Sequence, residues 1–104
     1  MLPRISIPSD DIAEFCRRWK IAELALFGSV LRDDFGPESD VDVLVTFESD
    51  SRWTLLSLSR MKTELGQLLG RGVDLVSRRG IERSRNQHRR EQILSTAEVV
   101  YVAR

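Results

Sequence analysis

Apolar positions recur along the chain with two different periods. After Pro8-Ser9-Asp10-Asp11, residues Ile12, Phe15, Cys16 and Trp19 fall at i, i+3, i+4 and i+7, which predicts a helix running to about Lys20 with one apolar face. Ser9 or Asp10 is the expected cap, because a short side-chain oxygen there can accept from the unpaired N–H groups of the first turn. Ile21 to Phe27 and Val41 to Phe47 read as strands, separated by the turn-rich LRDDFGPES with Gly36-Pro37 as its strongest breaker. Leu55, Leu58, Met61, Leu65, Leu68 and Leu69 return to helical spacing and predict a helix from about Arg52 to Leu69, capped by Ser49, Asp50 or Ser51, with Trp53 on its apolar face. Gly70 and Gly72 are the expected stop. VDLVS (73–77) and EVVYV (98–102) are two further strands, and Arg78 to Leu94 between them reads as a weakly patterned helix. This order of elements predicts an α/β (α+β) layer pair in which helices cover a mixed sheet of about four strands.

The totals narrow the class. A chain of 104 residues, 41% hydrophobic and 31% charged, is expected to form one domain spanning residues 1–104. No apolar run approaches the roughly 20 residues of a membrane span. The N-terminus lacks the apolar core of a secretory signal, and a lone cysteine makes no internal disulfide, so a cytoplasmic protein is expected. Cys16 lies in the apolar stripe and reads as core rather than nucleophile. The formal charge is zero, giving no case for nonspecific nucleic-acid binding, yet residues 1–50 hold 11 acids against 5 bases and residues 71–104 hold 4 against 8. The Arg-rich stretch, with the single His88, reads first as a solvated helix surface and second as an anion-binding face.

The acidic half contains the chemistry. Asp40 and Asp42 stand two apart at the start of an otherwise apolar strand, so a regular strand places both on one face while Val41, Val43 and Val45 turn to the core. Paired carboxylates repel and are costly to keep charged unless a cation sits between them, and hard oxygen donors suit Mg²⁺ or Mn²⁺. Asp74 interrupts a second apolar strand; if the two strands are neighbours, it completes a cluster able to hold two metals. Gly28 and Ser29, just after a strand, allow close backbone approach and N–H and O–H donation to phosphate oxygens.

Phe27-Gly28-Ser29, then Asp40-Val41-Asp42-Val43 after a 10-residue gap, then Asp74, resembles the signature of the DNA polymerase β-like nucleotidyltransferases. Gly28-Ser29-x-x-Arg32 with Ser39-Asp40-x-Asp42 is similar to their small stand-alone branch, the minimal nucleotidyltransferases. The resemblance implies a mixed sheet flanked by helices and Mg²⁺-dependent transfer of a nucleoside monophosphate, AMP from ATP foremost, to an acceptor hydroxyl with release of pyrophosphate. It implies that Gly28 and Ser29 hold the triphosphate, Asp40 and Asp42 bind both metals, and Asp74 binds the ion that activates the acceptor. Arg32 and Ser39 take supporting roles near the phosphates and in the turn into Asp40. It further implies a helical HEPN-domain partner, as in toxin–antitoxin pairs, with this chain the antitoxin. Leu31 and Asp33 depart from the branch, which commonly carries G-S-x-A-R-G, and are expected to leave the loop bulkier and more acidic.

Two other functions compete. A binding module would neutralise a partner by contact with little or no catalysis, and a metal nuclease would use the same acids for hydrolysis. The Gly28-Ser29 pair favours triphosphate binding over the nuclease. His88 reads as a helix-face residue and Tyr101 as core or edge packing.

Overall fold

A four-stranded mixed sheet forms the centre of the computed structural model, which describes residues 7–31, 36 and 39–103, with the backbone alone described for Ser29. Helix α1 (Ser9–Arg18) leads into β1 (Ile21–Phe27), a 3-10 turn (Gly28–Leu31) and β2 (Val41–Phe47). Helix α2 (Leu55–Leu69) carries the chain to β3 (Val73–Ser77), and α3 (Arg78–Glu82) and α4 (Gln87–Thr96) precede β4 (Glu98–Val102). The sheet order is β3-β2-β1-β4. β1 runs antiparallel to β2 and β4, whereas β2 and β3 are parallel, because α2 spans the crossover that a parallel pair requires.

All four strands take the bounds their alternation predicts. Val41, Val43 and Val45 are buried with Leu24 and Leu26 of β1 against Ile12, Phe15 and Cys16 of α1 and Met61 and Leu65 of α2. The opposite parity, Ala25, Phe27 and Leu44, packs on Ile81 of α3 and Ile93 of α4. Helices therefore flank the sheet on both faces, and a second helical layer is added to the expected layer pair. Burial pushes the Cys16 thiol up to about 12, leaving a neutral core side chain. Among the described residues no helix is long and apolar enough to cross a membrane.

The helices differ from expectation at their ends. Neither Ser9 nor Asp10 caps α1: both lie inside its first turn, and Pro8 precedes it without a side-chain cap. Thr54, rather than Ser49, Asp50 or Ser51, caps α2 by accepting from the Ser57 N–H. Trp53 thus lies ahead of the helix and stacks on Phe47 with ring centroids 4.8 Å apart. Leu55 keeps helical spacing but is 82% exposed, since it belongs to a first turn that overhangs the core. The predicted helix over 78–94 is two: α3 ends at Glu82, and Asn86 caps a new start by accepting from the Arg89 N–H. Arg90 ties the junction together by donating to the carbonyls of Glu82 and Ser84 at 3.5 and 3.2 Å.

α1 and α2 are joined by Glu64, which accepts from the Arg18 guanidinium at 2.8 Å and from Trp19 Nε1 at 3.2 Å. The Arg18 hydrogen bonds hold the Glu64 carboxyl below its ordinary 4.5, with burial opposing them. A carboxyl depressed in the folded state stabilises above its unfolded pKa, and that contribution fades as pH falls through the folded value. Glu64→Gln is therefore expected to lower the melting temperature by about 2–5 °C at neutral pH. Melts repeated near ~pH 3 should show the gap closing; equal melting at neutral pH would contradict the contribution.

Candidate active site

At one edge of the sheet the end of β1 meets the starts of β2 and β3. Asp42 is the register partner of Phe27 on one side and of Asp74 on the other. Because side chains alternate across a strand, the burial of Val41 and Val43 on the α1–α2 face turns Asp42 to the opposite face, the face of Leu44. That face is covered by α3 and α4 over Leu44 and Ala25, while Asp42 is half-buried and Asp74 exposed. Parallel pairing of β2 with β3 thus sets Asp74 beside Asp42. Asp40 comes one residue ahead of β2 and is exposed, so its direction is set by the turn into the strand rather than by strand alternation.

Gly28 opens the 3-10 turn with φ of 75°, a left-handed conformation that costs an L side chain about 1–2 kcal/mol. A methyl group there would lie 3.2 Å from Asp42 Cγ and closer still to Oδ2, so the bare Cα is what admits the carboxylate. Leu31, at the far end of the turn, is buried in the α1–α2 core. The loop that Leu31 and Asp33 are expected to make bulkier and more acidic continues past Leu31 outside the described residues. Arg32 and Asp33 lie outside the described residues. Ser39 folds back on Gly36, its hydroxyl accepting from the Gly36 N–H and its own N–H donating to the Gly36 carbonyl, each at 3.1 Å.

The donor set at this edge is oxygen only, which matches a hard divalent cation, and the bare Gly28 Cα lets the Asp42 carboxylate lie against the turn. Among the described residues no three His, Cys, Asp or Glu side chains are already gathered closely enough to hold a metal ion. The fit is therefore one of donor chemistry and backbone placement.

Next to Gly28 the surface opens into a cavity of about 520 Å³, floored by Phe27, Leu31 and Ile93 and rimmed by Arg89, Gln92 and Thr96 of α4. Sequence reasoning missed this feature, since α4 has little apolar periodicity to orient it. Arg89 is the basic side chain of the C-terminal stretch that reaches the cavity. Arg78 instead pairs with Glu23 and Glu82 at 3.4 and 3.5 Å, and His88 is exposed. Tyr101 is half-buried against the α1–α2 core. Gly70 ends α2 in the left-handed conformation, but Gly72 takes no part in that stop.

A family model described as a nucleotidyltransferase domain matches residues 11–100, taking in β1, β2 and β3, the start of β4 and the whole site edge. The chain belongs to the nucleotidyltransferase family. Its place in the polymerase β-like superfamily is the minimal branch: a solved structure of a proposed minimal nucleotidyltransferase is 38% identical, with 86% of this chain and 85% of that one covered and a TM-score of 0.65. The protein adenylyltransferase MntA of Thermococcus cleftensis is 36% identical over 69 residues, 66% of this chain and 68% of its own length. The chain spans about two thirds or slightly less, 63–68%, of the first curated relatives it matches. A chain in the solved complex of a tri-AMPylated Shewanella oneidensis HEPN toxin with MNT antitoxin shares the fold, at 21% identity, TM-score 0.60, and 91% and 70% coverage of this chain and that one.

Proposed function

We propose that this nucleotidyltransferase transfers AMP from ATP to a hydroxyl group on a HEPN-domain partner, acting as the antitoxin of a toxin–antitoxin pair. The observation that carries the reading is the register of Asp42 with Asp74 on one side and with Phe27, the residue before Gly28, on the other. Asp42, Asp74 and Gly28 therefore lie close together along one sheet edge, which supports reading them as metal-binding carboxylates and a phosphate-approach glycine. The names of the adenylyltransferase relative and of the AMPylated toxin complex support the nucleotide and the acceptor.

In this reading Asp40 and Asp42 hold both metals, and Asp74 holds the ion on the acceptor side. Mg²⁺, when bound, neutralises the triphosphate and lowers the pKa of the attacking hydroxyl. Gly28 and Ser29 receive the triphosphate through backbone N–H groups and the Ser29 hydroxyl. Arg32 supports the phosphates, and Ser39 holds the turn that delivers Asp40. The acceptor oxygen bonds to the α-phosphorus, the bond to the β-phosphate oxygen breaks, pyrophosphate leaves, and the hydroxyl proton passes to solvent. No histidine base is needed, which agrees with the exposed position of His88 on α4.

The test incubates the protein with the HEPN-type product of a neighbouring gene, α-labelled ATP and Mg²⁺. Label on the partner together with released pyrophosphate is expected. Neutralisation of the partner with no label transfer would replace this reading with the contact-only module, and pyrophosphate-free cleavage of nucleic acid would replace it with the nuclease.

A further inference from the structure

Gly72 stands two residues before Asp74, and its φ lies outside the left-handed region where glycine is favoured. The backbone there is one that any residue adopts, so the absence of a side chain needs another cause. A methyl group at Gly72 would lie 3.3 Å from Asp40 Cγ and closer still to Oδ1. The Asp40 carboxylate occupies the space a side chain would take. The same short segment holds the backbone around Asp40 from two further points. The Gly72 carbonyl accepts from the Val41 N–H at 2.9 Å, and the Arg71 guanidinium donates to the Gly36 carbonyl, which also accepts from Ser39.

We propose that Arg71-Gly72 is the positioning element for Asp40: Arg71 anchors the turn at Gly36, the Gly72 carbonyl fixes the start of β2, and the bare Gly72 Cα receives the carboxylate. Asp40 needs such a device because it precedes the strand, where alternation no longer dictates side-chain direction. The function assigned to this pair rests on the reading of Asp40 as a metal ligand. Supporting contacts of this kind typically change metal affinity about 10–100-fold.

Gly72→Ala isolates the effect. Gly72 is exposed, its φ suits alanine, and the atom in the way is a terminal carboxylate oxygen of Asp40 rather than backbone. The melting temperature is therefore expected to be equal to or slightly above wild type, while Mn²⁺ affinity falls about 10–100-fold. Free Mn²⁺ measured by electron paramagnetic resonance without nucleotide reads the affinity, and transfer should recover as the metal concentration is raised. Arg71→Met, which keeps the aliphatic stem and removes the donor to Gly36, should weaken Mn²⁺ binding to a lesser degree. A folded Gly72→Ala with wild-type Mn²⁺ affinity overturns the proposal; should that variant not fold, unchanged Mn²⁺ affinity in Arg71→Met overturns it instead. Wild-type protein that neither binds Mn²⁺ nor transfers label would bring down the nucleotidyl-transfer reading itself, a result distinguishable from either.

Discussion

Asp42→Asn is expected to reduce label transfer by about 10³-fold or more while leaving a folded protein, because it deletes several kcal/mol of transition-state stabilisation and almost no volume. Asparagine is nearly isosteric with aspartate, so the space in front of Gly28 stays filled and Val41 and Val43, both fully buried, keep their positions. What disappears is the charge that would bind both cations. Asp42 is the more demanding of the acidic positions: it sits within the strand, half-buried, with Phe27 and Asp74 fixed on its two sides by register. A substituted side chain therefore has little freedom to find another way to ligate. Circular dichroism should show native secondary structure, and the melting temperature should move by no more than a few degrees. Transfer within about tenfold of wild type in Asp42→Asn would exclude a two-metal role for this carboxylate.

The parts of this protein that sequence made visible are those governed by local periodicity. Apolar, β-branched runs bounded by turn formers marked β2 and β3 from end to end, and the two-residue period of a regular strand set Asp42 opposite Val41 and Val43. That Asp74 lies beside Asp42 needed the pairing of β2 with β3, which periodicity leaves conditional. The helices over 78–96 were blurred because Ile81, Ile93 and Leu94 supply too few apolar positions to define a face, and the break depends on the cap at Asn86. Leu55 had the right spacing and the wrong environment. Gly72 was legible only as a helix terminator, since its contact with Asp40 joins residues 32 positions apart, beyond any local pattern. The one sequence cue is the Gly-x-Asp spacing into β3, a glycine two residues ahead of a strand carboxylate.

Gly28→Ala is expected to damage both stability and activity, unlike Gly72→Ala, and the contrast separates two uses of glycine at one site. At Gly28 the φ of 75° alone costs alanine about 1–2 kcal/mol, which corresponds to a drop in melting temperature of roughly 4–15 °C for a domain of this size. The new methyl group also falls on Asp42 Oδ2, inside any tolerable contact, so the carboxylate must rotate away from the turn or the turn must retreat from the strand. Either movement separates the Gly28 backbone from Asp42, and on the proposed function transfer should fall at least ~10²-fold, the scale seen when reacting groups are displaced by about 1 Å. The two costs can be divided with the double variant Gly28→Ala/Asp42→Ala. Removing the Asp42 carboxylate relieves the steric clash but not the backbone strain, so the stability loss from Gly28→Ala should be smaller in the Asp42→Ala background than in wild type, a coupling expected for residues in contact. Melting temperatures of the four proteins measure it. Strict additivity would mean that the conformation of Gly28, and not its approach to Asp42, is why glycine stands there.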